Sequence, residues 1–281
     1  MTLKLHDLIG RECKLESACG ALRDFVAELG PAAVGAHHVT CSDETERECA
    51  EVFHRWFAGR MLPDLKSAAR AAFRTVNRGG RYERGSALVA EEHFAAVGRD
   101  DHSGPPNVLV VKINSHVAVR DTPAGSVYGR LMRYGRESAC CGALATLMAG
   151  SQLPALRELA KVFALDGRDR LDVLCDAGRV PPDERALRAA VVNARLQARR
   201  AAADVAEHRP HAPTIVLVVP CVTINRASPD TELVVGQYSI DWTGKAVRIT
   251  YVGLGDDPAA YRIRHERRSV VLEDDHLAPV P

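Results

Sequence analysis

The side chains best able to do chemistry in this sequence are a few thiols and imidazoles. Cys41 stands in TCSDE, His116 near the end of the apolar run VLVVKINSHVAV, and the adjacent pair Cys140 and Cys141 in RYGRESACCGAL. Zinc prefers thiolate and imidazole ligands, and a catalytic zinc site keeps three protein ligands plus one open position. Cys41, His116 and Cys141 supply a Cys-His-Cys set of that kind, and Asp43 adds a carboxylate two residues after the first cysteine. The separations are wide and match no local C-x-x-C pattern, so packing in a core is the competing reading of each residue.

Other candidates carry blander readings. His37 and His38 are adjacent on a strand-like segment, so their side chains point to opposite faces and at most one lines a site. Cys49 falls on the helical segment after Cys41 and reads as core. His208 and His211 flank Pro210 in a loop and read as solvated. The segment RGGRYERG lacks the Lys-Ser/Thr ending of a phosphate-binding loop, which disfavours nucleotide binding.

The elements that must position the thiols follow from periodicity. Residues 14–29 read as an amphipathic helix stopped by Gly30-Pro31, and 32–40 as a short apolar strand ending at Cys41. From Ser42 or Asp43, as N-cap, helical spacing continues to Phe57. This puts the first chemical cluster at a strand-to-helix junction, the sheet edge where α/β proteins build sites. Helical character is expected again over 64–76, a glycine- and arginine-rich loop over 77–86, and a buried strand over 108–119 with His116 near its far end. Residues 136–150 predict a helix with Cys141 in its first turn, where a thiol's pKa is lowered toward the thiolate a metal needs. A long helix over 183–207, a buried strand over 214–224 and a closing pair of strands joined near Thr243-Gly244 complete the pattern. Strands alternating with helices predict an α/β fold: one domain over 1–281 with a mixed, largely parallel sheet flanked by helices. Residues 1–30 read as an N-terminal helical extension and 256–281 as a charged tail.

Composition narrows the function classes. Lys and Arg number 37 against 36 Asp and Glu, a formal net charge of +1, so no basic excess is left for coating nucleic acid. No apolar run is long enough to span a membrane, and the charged start lacks a signal-peptide core. The expected compartment is the cytoplasm, where the 8 cysteines serve as thiols or metal ligands sooner than as disulfides.

Three segments, CSDE (41–44), SHVAVRD (115–121) and GRESACCGAL (135–144), resemble in order and separation the signature segments of the limiting-CO2-inducible protein B/C family. These are theta-class carbonic anhydrases whose fold is related to the beta class. The segments RGGRYERGSALVA and IVLVVPCVTINRA also have counterparts there, so the resemblance spans roughly residues 30–250, patchily outside the motifs. It implies a beta-carbonic-anhydrase-like fold, with Zn2+ as the cofactor, Cys41, His116 and Cys141 as its ligands, and Asp43 as the catalytic carboxylate. The beta class pairs that Asp with an Arg two residues on, where this chain has Thr45. The resemblance therefore demands an arginine from elsewhere, Arg136 first and Arg84 second. Adjacent residues on a helix point about 100° apart, so only one of the two neighbouring cysteines can face an ion. The resemblance gives that role to Cys141, with Cys140 packing against the sheet and a vicinal disulfide as the competitor. The implied activity is reversible hydration of CO2 to bicarbonate by a homodimer. Two alternatives stay open: a hydrolase of a CO2 analogue such as COS or CS2, and a catalytically silent zinc-containing scaffold.

Overall fold

The longest apolar runs of the sequence become the middle of the sheet. The computed structural model describes residues 5–57, 69–89, 104–148, 185–253 and 266–271, apart from 124, 130, 134, 135, 139, 140, 209, 211, 228, 245 and 246. The chain enters through helix α1 (Leu5–Leu8), strand β1 (Glu12–Lys14) and helix α2 (Leu15–Glu28). Strand β2 (Ala33–Cys41) leads into a 3-10 turn (Glu44–Glu46) and helix α3 (Arg47–Phe57). Strand β3 (Ala69–Asn77) is followed by a second 3-10 turn, Arg78–Gly80. Next come β4 (Asn107–Thr122), β5 (Gly125–Tyr128), β6 (Leu131–Arg133), β7 (Arg136–Ser138) and helix α4 (Gly142–Met148). Helix α5 (Arg185–Glu207) precedes β8 (Thr214–Asn225), β9 (Thr231–Val234), β10 (Gly236–Asp241), β11 (Arg248–Gly253) and β12 (Glu266–Val271).

The main sheet runs β12-β11-β10-β8-β4-β2-β3. The four strands β3, β2, β4 and β8 are mutually parallel, and β10, β11 and β12 extend the sheet antiparallel beyond β8. The fold is thus α/β with a mixed sheet flanked by helices, as the alternation of elements predicts. Strand β9 clips β1 onto the edge of β8, which ties the N-terminal segment into the sheet.

Parallel strands must be covered on both faces, because their crossovers put helices there. Strand β2 is buried along its whole length and β4 from Asn107 to Val119. Alternation then splits the core in two. Val108 and Val110 pack with Val34, Leu217 and the apolar faces of α2 and α3, including Val26, Phe53 and Phe57. Leu109, Val111 and Ile113 pack with Val216, Val218 and the alanine face of α5, Ala198, Ala201 and Ala202. Small alanines let the helix lie close on the sheet. None of the helices among the described residues is long and apolar enough to cross a membrane.

Two expected helices are corrected. Residues 69–77, read as part of a helix over 64–76, form strand β3 in unbroken parallel register with β2, from Ala33 opposite Ala69 to Cys41 opposite Asn77; residues 64–68 lie outside the described residues. Alanine and arginine favour a helix by only tenths of a kcal/mol each, and pairing along nine residues outweighs them. The helix expected over 136–150 starts at Gly142, because Arg136–Ser138 pairs antiparallel with Leu131–Arg133.

Candidate metal centre

Strands β2 and β4 are parallel neighbours with Val39 opposite Ile113, so the C-terminal end of β2 lies beside the middle of β4. Cys41 closes β2, and His116 lies just past Ile113 on β4, opposite Thr223 of β8. Cys141 reaches this place from another part of the chain. It is the N-cap of α4, its carbonyl accepting the Ala145 N–H at 2.9 Å. The three side chains are buried, and their ligand atoms all lie within 4.8 Å of one another. The sulfurs of Cys41 and Cys141 are 3.6 Å apart. This is a set able to hold a metal ion.

The imidazole is held in one orientation by partners behind it. Asn225 donates through Nδ2 to the Thr45 carbonyl and to Asp230 Oδ2, each at 3.2 Å, which fixes its Oδ1 as an acceptor. His116 Nδ1 lies 3.0 Å from that oxygen and so must carry the proton. Nε2 is then the nitrogen with a lone pair to offer. A ligand histidine whose other N–H is bonded in this way has its tautomer and ring plane set in advance.

Thr45 fills the place where the beta-class pattern would put an arginine. Its backbone N–H and its hydroxyl both donate to Asp43 Oδ1, at 3.1 and 2.9 Å, and its Oγ1 lies 3.3 Å from His116 Nδ1. The first carboxylate oxygen is thereby occupied. The second, Oδ2, is 3.9 Å from His116 Nε2.

The two thiols polarise one another. A hydrogen bond from Cys141, reinforced by His116, pulls the Cys41 thiol below its ordinary value against the opposing effect of burial. Cys141, bonded to that sulfur and buried, is pushed well above the ordinary thiol value. The Gly79 N–H also donates to the Cys41 sulfur at 3.2 Å. A divalent cation held by both sulfurs would replace both thiol protons. Beside the pair, a cavity of about 270 Å³ is lined by Cys41, Ser42, Asp43, Arg78, Gly142, Ala143 and Thr146.

Against known proteins, neither a family model nor a curated sequence matches this chain. Solved structures do. PtLCIB4, a homolog of the limiting CO2-inducible protein LCIB, superposes with a TM-score of 0.58 at 18% identity, over 86% of this chain and 96% of that one. LCIB itself gives 0.52 at 14% identity, over 87% and 98%. The chain has the LCIB fold. A looser match, 0.33 at 15% identity over 70% and 74%, is to the beta-carbonic anhydrase CcaA.

Within the LCIB fold, the arginines are placed as follows. Arg84 is tied to α5, with Nη2 2.5 Å from Glu207 and Nε 3.4 Å from Asp204. Arg136 belongs to β7, and its side chain lies outside the described residues. Arg78, from the same glycine-rich loop as Arg84, shares the cavity wall with Asp43. Periodicity did not single it out, because that loop has no repeating pattern to orient it.

His37, His38 and Cys49 are core residues, as their blander readings have it. His37 bonds to Thr75 at 2.8 Å and His38 to Asn114 at 3.2 Å, both buried. Burial pushes His37 down to about 4 and His38 well below its usual value. Cys49 is core, and its thiol is raised by burial. His208 Nδ1 lies 2.8 Å from the Asp204 carbonyl, and His211 is outside the described residues. Cys141 is a free thiol; Cys140, and with it the vicinal-disulfide reading, lies outside the described residues. Two contributors were invisible in the sequence, Asn225 and the Gly79 amide. Both act through partners more than thirty residues away, which no local spacing encodes.

Proposed function

We propose that this protein is a zinc-dependent carbonic anhydrase, a lyase that interconverts CO2 and bicarbonate. The observation that carries the reading is the convergence of Cys41, His116 and Cys141 within 4.8 Å of one another beside Asp43. Two sulfurs and one imidazole nitrogen are the donor chemistry zinc takes, three ligands with one position left open. The shared fold with PtLCIB4 and LCIB, proteins named for limiting CO2, supports the same reading.

When bound, the ion supplies Lewis acidity that makes water nucleophilic near neutral pH. The chain's own residues do the rest. Asp43 presents Oδ2 with Oδ1 already held by Thr45, so it is set to accept a hydrogen bond from the attacking water and orient it. His116 keeps its Nδ1 proton on Asn225 and offers Nε2. Gly142 and Ala143 line the cavity with small groups suited to a linear, uncharged substrate. Of the arginines, Arg78 is best placed to act with Asp43 and to meet the bicarbonate charge; Arg84 is engaged by Glu207, and Arg136 stays a candidate from the resemblance. The reading extends to a cytoplasmic homodimer, as the resemblance implies.

The test is metal analysis of the purified protein combined with stopped-flow CO2 hydration. One zinc per chain with hydration above the uncatalysed rate is expected. Zinc without hydration of CO2, COS or CS2 would favour the scaffold reading, and a chain that binds no zinc would overturn the metal centre.

A further inference from the structure

The glycine-rich loop that supplies the Gly79 N–H is held from behind by one face of α5. Asn193 is fully buried, and its Nδ2 donates to the Gly79 carbonyl and to Ser115 Oγ, the latter at 3.1 Å. Its Oδ1 accepts Gln197 Nε2 at 3.3 Å, and Gln197 Oε1 accepts the Tyr82 N–H at 2.9 Å. Two amides one helical turn apart therefore grip both sides of the turn. Between them, Gly79 and Gly80 take positive φ, 69° and 68°. A Cβ on Gly80 would lie 2.1 Å from the Asn114 carbonyl oxygen, so the loop rests its backbone directly on β4.

This arrangement has a chemical direction. Asn193 fixes the peptide between Gly79 and Gly80. With Gly79 at φ 69° and ψ 14°, the preceding peptide turns its N–H onto the Cys41 sulfur. An N–H bonded to a thiolate withdraws charge from it. A site with two thiolates donates more charge to its ion than a three-histidine site does, so a donor aimed at one sulfur restores part of the ion's Lewis acidity.

We propose that Asn193 is a positioning residue for the metal centre: through the Gly79–Gly80 turn it aims a backbone N–H at Cys41 and so sets how much charge that sulfur gives to the ion. The inference rests on the metal-centre reading above and concerns a residue that touches neither ion nor substrate. Groups bonded directly to metal ligands typically change metal affinity by about 10–100-fold when lost; Asn193 acts on such a group from one bond further out, which sets its expected effect at the low end of that range.

Cobalt(II) titration of the whole chain tests it, because the thiolate-to-cobalt charge-transfer band reports the electron density on sulfur. In Asn193→Asp and Asn193→Leu the band is expected to move to longer wavelength than in wild type, with cobalt bound roughly 10-fold more weakly. Asp204→Asn serves as the comparison. It loosens the same loop at Tyr82 and Gly85, where Asp204 accepts two hydrogen bonds at 2.7 Å, but leaves Asn193 in place, so its band is expected to stay put while its melting temperature falls. Asn193→Asp is nearly isosteric and keeps the test readable if the leucine variant does not fold. Asn193 variants that melt lower than wild type but keep its band and affinity would overturn the inference alone. Wild-type protein with no cobalt band would overturn the metal-centre reading, and this inference with it.

Discussion

Cys41 and Cys141, one hundred residues apart in the chain, hold their sulfurs 3.6 Å from each other at the end of the parallel sheet. Neither segment places the other locally. Cys41 arrives at the end of β2 and Cys141 at the N-cap of α4, and only the packed sheet brings them together. Their juxtaposition makes each cysteine's contribution separable from that of its neighbours.

Substituting Cys141→Ser is expected to abolish metal binding, with a loss of affinity beyond the roughly 10–100-fold typical of outer partners. Cys140→Ser is expected to leave it near wild type. Zinc content by mass spectrometry after dialysis against limiting zinc distinguishes the two, and the opposite result would move the ligand by one residue.

Thr45 joins Asp43 to His116 through a single hydroxyl. Thr45→Val keeps the shape and removes that hydroxyl, while the backbone N–H to Asp43 remains. Metal affinity is expected to fall by about 10-fold, and hydration by more than that, since Asp43 also loses a restraint. Comparing isothermal titration with stopped-flow rates at saturating zinc separates the two effects.

Deeper in the core, Lys112 Nζ and Glu232 Oε1 form an ion pair at 2.6 Å, with the side chains 2% and 0% exposed. Removing one partner of such a pair leaves a buried uncompensated charge. Glu232→Gln is therefore expected to lower unfolding free energy by about 3–5 kcal/mol, measured by urea denaturation of the metal-free protein. A loss below about 1 kcal/mol would mean that the pair behaves as though solvated.

Glu46 is buried beside the metal site, and burial raises its carboxyl from 4.5 to about 7. The folded chain therefore holds this proton more tightly than the unfolded chain does. The stability it contributes is complete below pH 4.5 and is lost as pH rises through about 7. Glu46→Gln cannot ionise. Relative to wild type, the metal-free variant is expected to gain about 3 kcal/mol between pH 4 and pH 8, read from denaturation midpoints. A difference that does not change with pH would contradict this.

Much of the candidate site was legible because its residues follow apolar runs or open a helix, although β4 continues past His116 to Thr122. Cys41 and His116 each follow an apolar run, and the N-cap position of Cys141 needed only a helix start close by. The exact onset was not legible, since Arg136–Ser138 carries no strong local preference and its strand exists only by pairing with Leu131–Arg133. Strand β3 was misread for the same reason: alanines and arginines favour a helix weakly, and the parallel register with β2 decides otherwise. Asn225 and Asn193 could not be found at all, because an asparagine shows its role only when its two ends have named partners.

The candidate metal ligands come from β2, from β4 and from the start of α4, and β2 and β4 meet through parallel pairing. Parallel neighbours cannot be joined by a tight hairpin, so this juncture comes into being only once long-range crossovers have closed. An ion bound there would be captured by an already standing scaffold, in contrast to small zinc modules that stay unfolded without metal. Chelation would empty the site and leave the secondary structure in place. It would remove only the mass-action share of stability, about 4 kcal/mol where free ion exceeds its dissociation constant a thousandfold.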